Sequence, residues 1–383
     1  MQKDNEHLRI AMLGHKRVPS REGGIEVVVG ELSTRMVSRG HQVTCYNRRG
    51  YHVSGKEFSE EWGDDYQGVK LKNVFTINRR GWAALTASVT AAFFVAVGKY
   101  DIVHFHAEGP CAMIWLPKLM GKKCVATIHG LDHMRAKWGT LPRAYIMAGE
   151  RMAVKCADEI IVLSESAKTY FEETYGRKTR LIPNGIQPPS FRKAQLIRDQ
   201  FSLEENEYIL FVGRLTPEKG IQYLIKAYKK LRTEKKLVIA GGTSDTERYA
   251  KELRKMAVGE RQILFTGFVQ GRLLEELYSN AYVFVQPSDL EGMSLCLLEA
   301  MSYGNCCLVS DIPECADVIE QNGVQFARGN VEDLAEKLQY LCDTPETVRQ
   351  YKERSAAFIL EKYNWDAVVE QTLELYRRSG KKR

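Results

Sequence analysis

Two doubly wound, Rossmann-like α/β domains facing a cleft are the fold class that the sequence predicts. Three observations predict it. Short β-branched apolar runs alternate with helical stretches, the alternation occurs twice, and a Pro-containing break separates the two series. Runs that are apolar on both faces suit a parallel sheet buried between helices. At 383 residues the chain is long for one domain and comfortable for two.

The first series opens with RIAMLG, Arg9 to Gly14, and an amphipathic stretch follows from Ile25 to Arg39 and stops at Gly40. QVTCYNR, VKLKNVFTI, DIVHFH, KCVATIHG, EIIVLS and RLIPNG then read as strands, mostly with helical segments between them. WAALTASVTAAFFVAVG, Trp82 to Gly98, carries no charge. It is short for a membrane span, which needs about 20 residues, and reads as a buried helix before DIVHFH. IQPPSFRKAQ, Ile186 to Gln195, is the linker, because Pro188-Pro189 continues neither a helix nor a central strand. The second series contains EYILFVGR, KLVIAGG, ILFTGF, VFVQPS and CCLVSD. Helices close the chain, among them VEDLAEKLQYLCD and NWDAVVEQTLELYRR. The domain boundary is expected at 190/191. In such sheets ligands bind beyond the carboxyl ends of the strands, which places the site in the cleft between the two domains.

Composition narrows the class further. The nine cysteines are odd in number, form no C-x-x-C pair and sit mostly in apolar runs, so they read as reduced thiols in a reducing compartment. The N-terminal MQKDNEHLR is polar and leads into a strand, so no secretory signal peptide is expected; with the reduced thiols, the expected location is cytoplasmic. Net charge is +7 but lopsided: residues 1–190 hold 27 Lys+Arg against 19 Asp+Glu, and residues 191–383 hold 28 against 29. The basic half suggests an anionic surface or acceptor, with phospholipid headgroups foremost and ordinary solubilising charge as the alternative. No helix concentrates basic residues on one face, which argues against nucleic acid.

Four segments carry chemistry. In EGMSLCLLEAMSYG, Glu291 to Gly304, Ser294 is a candidate N-cap and Gly304 ends the helix. The N–H groups near Gly292, Met293, Ser294 and Leu295 would then face an anion favoured by the helix dipole. Glu291 before the helix and Glu299 within it flank this cradle, one reaching a sugar hydroxyl and the other a ribose. In FVGRLTPEKG, Phe211 to Gly220, Arg214 and Lys219 stand at the carboxyl edge of the domain's first strand. Two cations there would clamp a diphosphate as a metal does elsewhere.

In REGGIEVVVGEL, from Arg21, Gly23-Gly24 opens a helix and permits close backbone approach to phosphate or sugar. It does not match G-x-G-x-x-G, which disfavours a dinucleotide dehydrogenase. In TIHGLDHMRAKWG, Thr127 to Gly139, His129 ends a buried strand, and Asp132, Arg135 and Trp138 offer polar and stacking surface for a sugar acceptor. His104 and His106 alternate onto one face of a strand, but two ligands are too few for a catalytic zinc. The chain contains no D-x-D triplet, so neither a metal nor another cofactor is expected.

These segments together resemble glycosyltransferase family 4, the retaining GT-B enzymes of bacterial polysaccharide and glycolipid assembly. The resemblance rests on GGIE at Gly23, the HG pair at His129, PNGI at Pro183, GRLTPEKG at Gly213 and the acid–seven–acid segment from Glu291 to Glu299. It implies that Arg214 and Lys219 hold the diphosphate, Glu299 the ribose and Glu291 the transferred sugar. It also implies that His129 lies near the reacting sugar and that backbone at Gly24 and at 292–295 contacts phosphate or sugar. The acceptor-side domain would be 1–190 with a helix at 364–383 crossing back onto it, and the nucleotide-sugar-binding domain 191–363. Cys296 departs from the family, where Pro is common.

The expected reaction is transfer with retention, from a nucleotide-diphosphate sugar to a saccharide or lipid-linked acceptor. Two alternatives stand: a sugar-nucleotide epimerase on the same fold, and a non-catalytic sugar-nucleotide-binding protein. The basic half, Arg48-Arg49, Arg79-Arg80 and the apolar segment after Arg80 suggest peripheral docking on an anionic membrane.

Overall fold

A computed structural model describes residues 7–50, 63–79, 81–135, 139–243 and 246–378. The chain divides into two compact units, Met1–Gly185 with Trp365–Arg383, and Ile186–Asn364. The first division falls five residues before the expected boundary at 190, and the second lies between Asn364 and Trp365. The reason is local: Ile186 bridges to Asn364, and its N–H donates to the Tyr363 carbonyl at 3.1 Å, which ties both to the second unit.

The first unit contains an eight-stranded sheet. Its strands are β1 (Arg9–Leu13), β2 (Gln42–Arg48), β3 (Asp65–Tyr66), β4 (Val69–Val74), β5 (Ile102–His106), β6 (Lys123–Ile128), β7 (Glu159–Val162) and β8 (Arg180–Leu181). Their spatial order is β3-β4-β2-β1-β5-β6-β7-β8. All pairs are parallel except β3 with β4. Buried strands alternate with helices because a run such as Ile102–His106, buried at every position, can only lie in a sheet covered on both faces. The outlying β4 shows the weaker pattern of an edge, with Lys70, Lys72 and Asn73 exposed. The two-residue β3 was not expected; it is too short to show a period and exists because Gln67 and Gly68, both at positive φ, turn the chain back onto Val69.

The last helix, Trp365–Arg378, belongs to this unit. Asp366 accepts from Arg35 at 3.2 Å and Arg39 at 2.8 Å of the helix Gly24–Ser38, and the Tyr376 hydroxyl meets His104 at 2.6 Å.

The second unit has six parallel strands: β9 (Tyr208–Val212), β10 (Lys236–Ala240), β11 (Ile263–Gly267), β12 (Val283–Gln286), β13 (Cys306–Ser310) and β14 (Val324–Phe326). Their order is β11-β10-β9-β12-β13-β14. One core lies on each face of this sheet, with Leu210, Val238, Phe284 and Val309 on one side and Ile209, Ile239, Val283 and Leu308 on the other. The three-residue β14 lies outside the series read from the sequence. All nine cysteines are free.

One expectation needs correction. Trp82–Val97 is a helix, but not a buried one. Its inner face is built of Ala87, Ser88, Ala91, Ala92, Val95 and Ala96, while Trp82, Val89, Phe93, Phe94 and Val97 stand 41–61% exposed. Small side chains on one stripe let the helix lie close to the sheet, and the large ones are left outside. No helix among the described residues is long and apolar enough to cross a membrane.

Candidate active site

At the carboxyl edge of the second unit's sheet, two loops meet. The first leaves β9 and passes through Gly213, Arg214, Leu215 and Thr216 into a 3₁₀ turn, Pro217–Lys219. The second leaves β12 and reaches Ser294, the N-cap of the helix Leu295–Ser302. They touch at Gly220, where φ is +66° and a Cβ would stand 1.8 Å from the Pro287 carbonyl oxygen. Only glycine allows that approach. The Asp289 N–H donates to the Glu218 carbonyl at 2.8 Å, pinning the loops together.

This closure sets Lys219 against Glu291. Nζ lies 2.6 Å from Oε1 and 2.9 Å from Oε2, with the side chains only 15% and 8% exposed. Glu291 Oε1 also accepts from Gln286 Nε2 at 2.8 Å and Ser288 Oγ at 2.6 Å. The carboxylate is therefore fixed by three donors, one from each loop and one from the end of β12. Ser294 Oγ accepts the Leu297 N–H at 3.3 Å and donates to Gln286 Oε1 at 2.8 Å, so the helix cap and the acid share one bridging amide.

The first-turn N–H groups of that helix, at Leu295 and Cys296, have no intrahelical acceptor and carry the positive end of its dipole. Gly292 and Ser294 are buried, whereas Met293 and Leu295 are half-buried. Glu299 lies deeper on the helix and accepts from the Tyr278 hydroxyl at 3.1 Å. Burial, Cys296 and the Glu299 charge push the Tyr278 hydroxyl well above its usual range, so it remains a donor. Burial pushes the Cys296 thiol up to about 11, which makes it an inert packing group. Arg214, half-buried, stands where the first loop leaves β9. At the same edge, Leu215, Gly241, Gly242, Thr243, Lys251 and Arg254 line a cavity of about 300 Å³ that the sequence reading did not single out.

The first unit has its own cluster at the carboxyl edge of β1, β5 and β6. Gly14 has φ +106°, and a Cβ there would stand 2.1 Å from the His106 carbonyl oxygen, so the loop after β1 closes directly over β5. His129, just after β6, places Nε2 3.0 Å from His106 Nδ1. Burial lowers the His129 pKa to about 4 and holds His106 well below its ordinary value, so at neutral pH neither ring is charged. His104 meets Thr127 Oγ1 at 2.7 Å as well as Tyr376. The His104/His106 pair weighed as metal ligands is thus engaged by protein groups. Burial lowers His104 to about 3 and His15, held by Asn47 at 3.0 Å, to about 4.

Gly24 is the exposed first residue of the helix Gly24–Ser38. Glu26, two residues on, turns its carboxylate back to accept the Lys16 N–H at 2.8 Å. Burial opposes its ionisation, but the Lys16 charge and N–H and the His15 and Arg48 charges outweigh it and hold the pKa low.

Asp132 and Arg135 do come together, but on each other: Arg135 Nε is 2.7 Å from Asp132 Oδ1. Their i,i+3 spacing explains the pairing. Trp138 lies outside the described residues. Sequence reasoning missed Gln286, Ser288 and Tyr278 in the second unit and His15 and Glu26 in the first. Gln286 and Ser288 stand in the strand and loop just before Glu291, and Glu26 closes the GGIE run, so local signals existed; Tyr278 gave none.

The family described as Glycosyl transferases group 1 matches residues 193–378, and Glycosyltransferase Family 4 matches residues 22–188. An alpha-maltose-1-phosphate synthase of Mycobacterium tuberculosis is 31% identical over 331 residues, 77% of this chain and 84% of that protein. The chain belongs to the glycosyltransferases of these families. An uncharacterized glycosyltransferase of Methanocaldococcus jannaschii is 28% identical, covering 97% of this chain and 98% of its own. Among solved structures, Anabaena HepE in complex with UDP and glucose superposes with a TM-score of 0.80 at 16% identity, over 97% of this chain and 100% of that one. This likeness places the glycosyltransferase in the GT-B fold.

Proposed function

We propose that this glycosyltransferase is a retaining, metal-independent enzyme. It moves a sugar from a nucleotide-diphosphate donor to a saccharide or lipid-linked acceptor in cell-surface polysaccharide or glycolipid synthesis. The observation that carries the reading is the Lys219–Glu291 pair beside the N-terminus of the helix Leu295–Ser302. A cation, an acid and a helix dipole at one sheet edge match a donor whose diphosphate is anionic and whose sugar offers hydroxyls. HepE, a fold neighbour, is described with UDP and glucose.

In this reading Arg214 and Lys219 bind the diphosphate, the backbone at Gly292, Met293, Ser294 and Leu295 completes its cradle, Glu291 holds the sugar and Glu299 the ribose. Gly24 lends backbone close to phosphate or sugar. The anomeric carbon–phosphate oxygen bond breaks through an oxocarbenium-like transition state. The acceptor oxygen bonds to that carbon on the same face, and its proton passes to the departing phosphate oxygen. Charge on that oxygen is stabilised by Arg214, Lys219 and the helix N-terminus, so no metal is required. His129, neutral, serves the reacting sugar as a hydrogen-bonding group, and Asp132, Arg135 and Trp138 serve the acceptor.

The exposed helix face supports a lipid-linked acceptor. Phe93, Phe94 and Val97 stand beside exposed Lys99, and the packed-on helix Trp115–Leu119 exposes Leu119 at 76%. Exposed apolar side chains next to a cation suit the headgroup region of an anionic bilayer at the inner face of the cell membrane.

The test is incubation with labelled nucleotide sugars, with and without lipid acceptor. Acceptor-dependent transfer with the donor's anomeric configuration kept is the expected result. Acceptor-independent conversion of the donor would identify an epimerase, and binding without turnover a non-catalytic protein.

A further inference from the structure

Glu108, His133 and Glu150 come from three separate stretches of the first unit. Glu108 opens the short helix Glu108–Cys111 after β5, His133 lies in the 3₁₀ turn Asp132–Met134 after β6, and Glu150 lies on the helix Thr140–Cys156. Their side chains are 0%, 7% and 0% exposed. His133 Nδ1 stands 3.1 Å from Glu150 Oε2 and 3.6 Å from Glu108 Oε1, and the three atoms all lie within 4.8 Å of one another. These same three atoms are buried without a hydrogen-bond partner.

The outer oxygens are engaged. Glu108 Oε2 accepts the Asp132 N–H at 2.8 Å, and Glu150 Oε1 accepts from the hydroxyls of Tyr170, at 2.9 Å, and Tyr175. Each carboxylate is thus oriented by donors on one oxygen and turns the other, with the imidazole nitrogen, to a common point. Such outer donors are what fixes metal ligands in place. Two carboxylates hidden from water are costly unless a cation accompanies them.

We propose that Glu108 Oε1, His133 Nδ1 and Glu150 Oε2 bind a divalent transition-metal cation, Zn²⁺ foremost, in a structural site. One nitrogen and two carboxylate oxygens form a set that zinc accepts. Ligands held about 2.0–2.2 Å from a tetrahedral zinc lie roughly 3.4 Å apart, and the observed 3.1 and 3.6 Å bracket that spacing. Calcium and magnesium fit less well, because they require more oxygen ligands. The ion would tie the turn that carries Asp132, and with it the loop after His129, to the helix Thr140–Cys156. This role is independent of the transfer chemistry, for which no metal is invoked.

Untagged full-length protein, dialysed exhaustively against metal-free buffer, is analysed by elemental mass spectrometry. About one zinc per chain is expected from a three-ligand site, with none in Glu150→Gln or His133→Ala. Should those variants fail to fold, Tyr170→Phe removes only an outer donor. It should lower zinc affinity about 10- to 100-fold in competition with a chromogenic chelator. Metal-stripped wild-type protein should also gain thermal stability from Zn²⁺ but not from Mg²⁺. Wild-type protein free of metal and unresponsive to Zn²⁺, or zinc bound equally by wild type and Tyr170→Phe, overturns the proposal in favour of a proton shared between the two carboxyl groups.

Discussion

Lys219 and Glu291, 72 residues apart, form a two-pronged ion pair at 2.6 and 2.9 Å that only a glycine at position 220 makes possible. In the proposed mechanism a diphosphate at Lys219 would compete with this carboxylate, so donor binding there would share or loosen the pair. Gln286 and Ser288 still hold Glu291 when the lysine is removed. Lys219→Ala is therefore expected to fold and to lose about 10²- to 10³-fold in kcat/KM, the usual effect of deleting one preorganised charge-stabilising donor. Steady-state kinetics with the preferred nucleotide sugar check this, and an unchanged kcat/KM would remove Lys219 from the mechanism.

Glu299 offers a carboxylate already oriented by Tyr278 at 3.1 Å. If it holds the ribose, Glu299→Ala removes charge-assisted hydrogen bonds of about 1.5–3 kcal/mol, or roughly 10- to 100-fold in nucleotide affinity. Calorimetry with the free nucleoside diphosphate measures this directly. Affinity equal to wild type would sink the assignment.

Arg214, Lys219 and the helix N-terminus carry the leaving-group charge in the proposed mechanism. EDTA added to the assay is therefore expected to leave the initial rate unchanged. Immediate loss of activity that Mg²⁺ or Mn²⁺ restores would require a catalytic metal at the diphosphate. A buried structural ion of the kind proposed at Glu108 would be reached only slowly, so the time course separates the two.

Acid stability follows from the histidines. Burial disfavours the cation and lowers His15 and His129 to about 4 and His104 to about 3, against an ordinary value of 6.5. Glu26 favours charge on His15 and Arg48 disfavours it, without reversing the burial effect. Between about pH 4 and 6.5 the unfolded chain binds protons that the folded one does not, so stability rises with pH and falls on acidification. Each group contributes up to roughly 1.4 kcal/mol per pH unit inside its window. Urea unfolding at pH 7.5 and pH 5.0 should show a lower midpoint at pH 5.0. Equal midpoints would mean that these rings are not held neutral.

The exposed helix face predicts salt-sensitive lipid binding. Flotation with anionic vesicles should recover the protein at low salt, lose it at high salt as screening shortens the field, and fail for Phe93→Ser/Phe94→Ser. Replacing Arg79, which precedes this helix, with Glu should weaken binding, since each cation near such a surface contributes about 1 kcal/mol. Equal recovery with neutral vesicles, or none with either, would leave a soluble acceptor as the better reading.

Much of the fold was legible because its signals are local. The 13-residue run VEDLAEKLQYLCD matches the helix Val331–Asp343 at both ends, and Ser294 was readable as a cap from its place before an apolar run. The helix Trp82–Val97 was misread for a physical reason: an uncharged run has no polar face from which to infer an outside, so burial could not be assigned by periodicity. In the site, Arg214, Lys219, Glu291 and Glu299 stood out as charges at strand and helix ends. Tyr278 did not, because nothing local distinguishes a tyrosine that donates to an acid 21 residues on from one that merely packs.

The sequence by itself determined two α/β domains, their strand series and the charged ends of the strands in the second domain, since apolar periodicity, caps and turn residues act within a few positions. Only the tertiary structure decided that Lys219 closes on Glu291, that His129 meets His106, and that Glu108, His133 and Glu150 converge out of water. Strand order and loop closure bring such groups together across 17 to 72 residues. Their pairing energies depend on distance and burial in space, which separation along the chain does not encode.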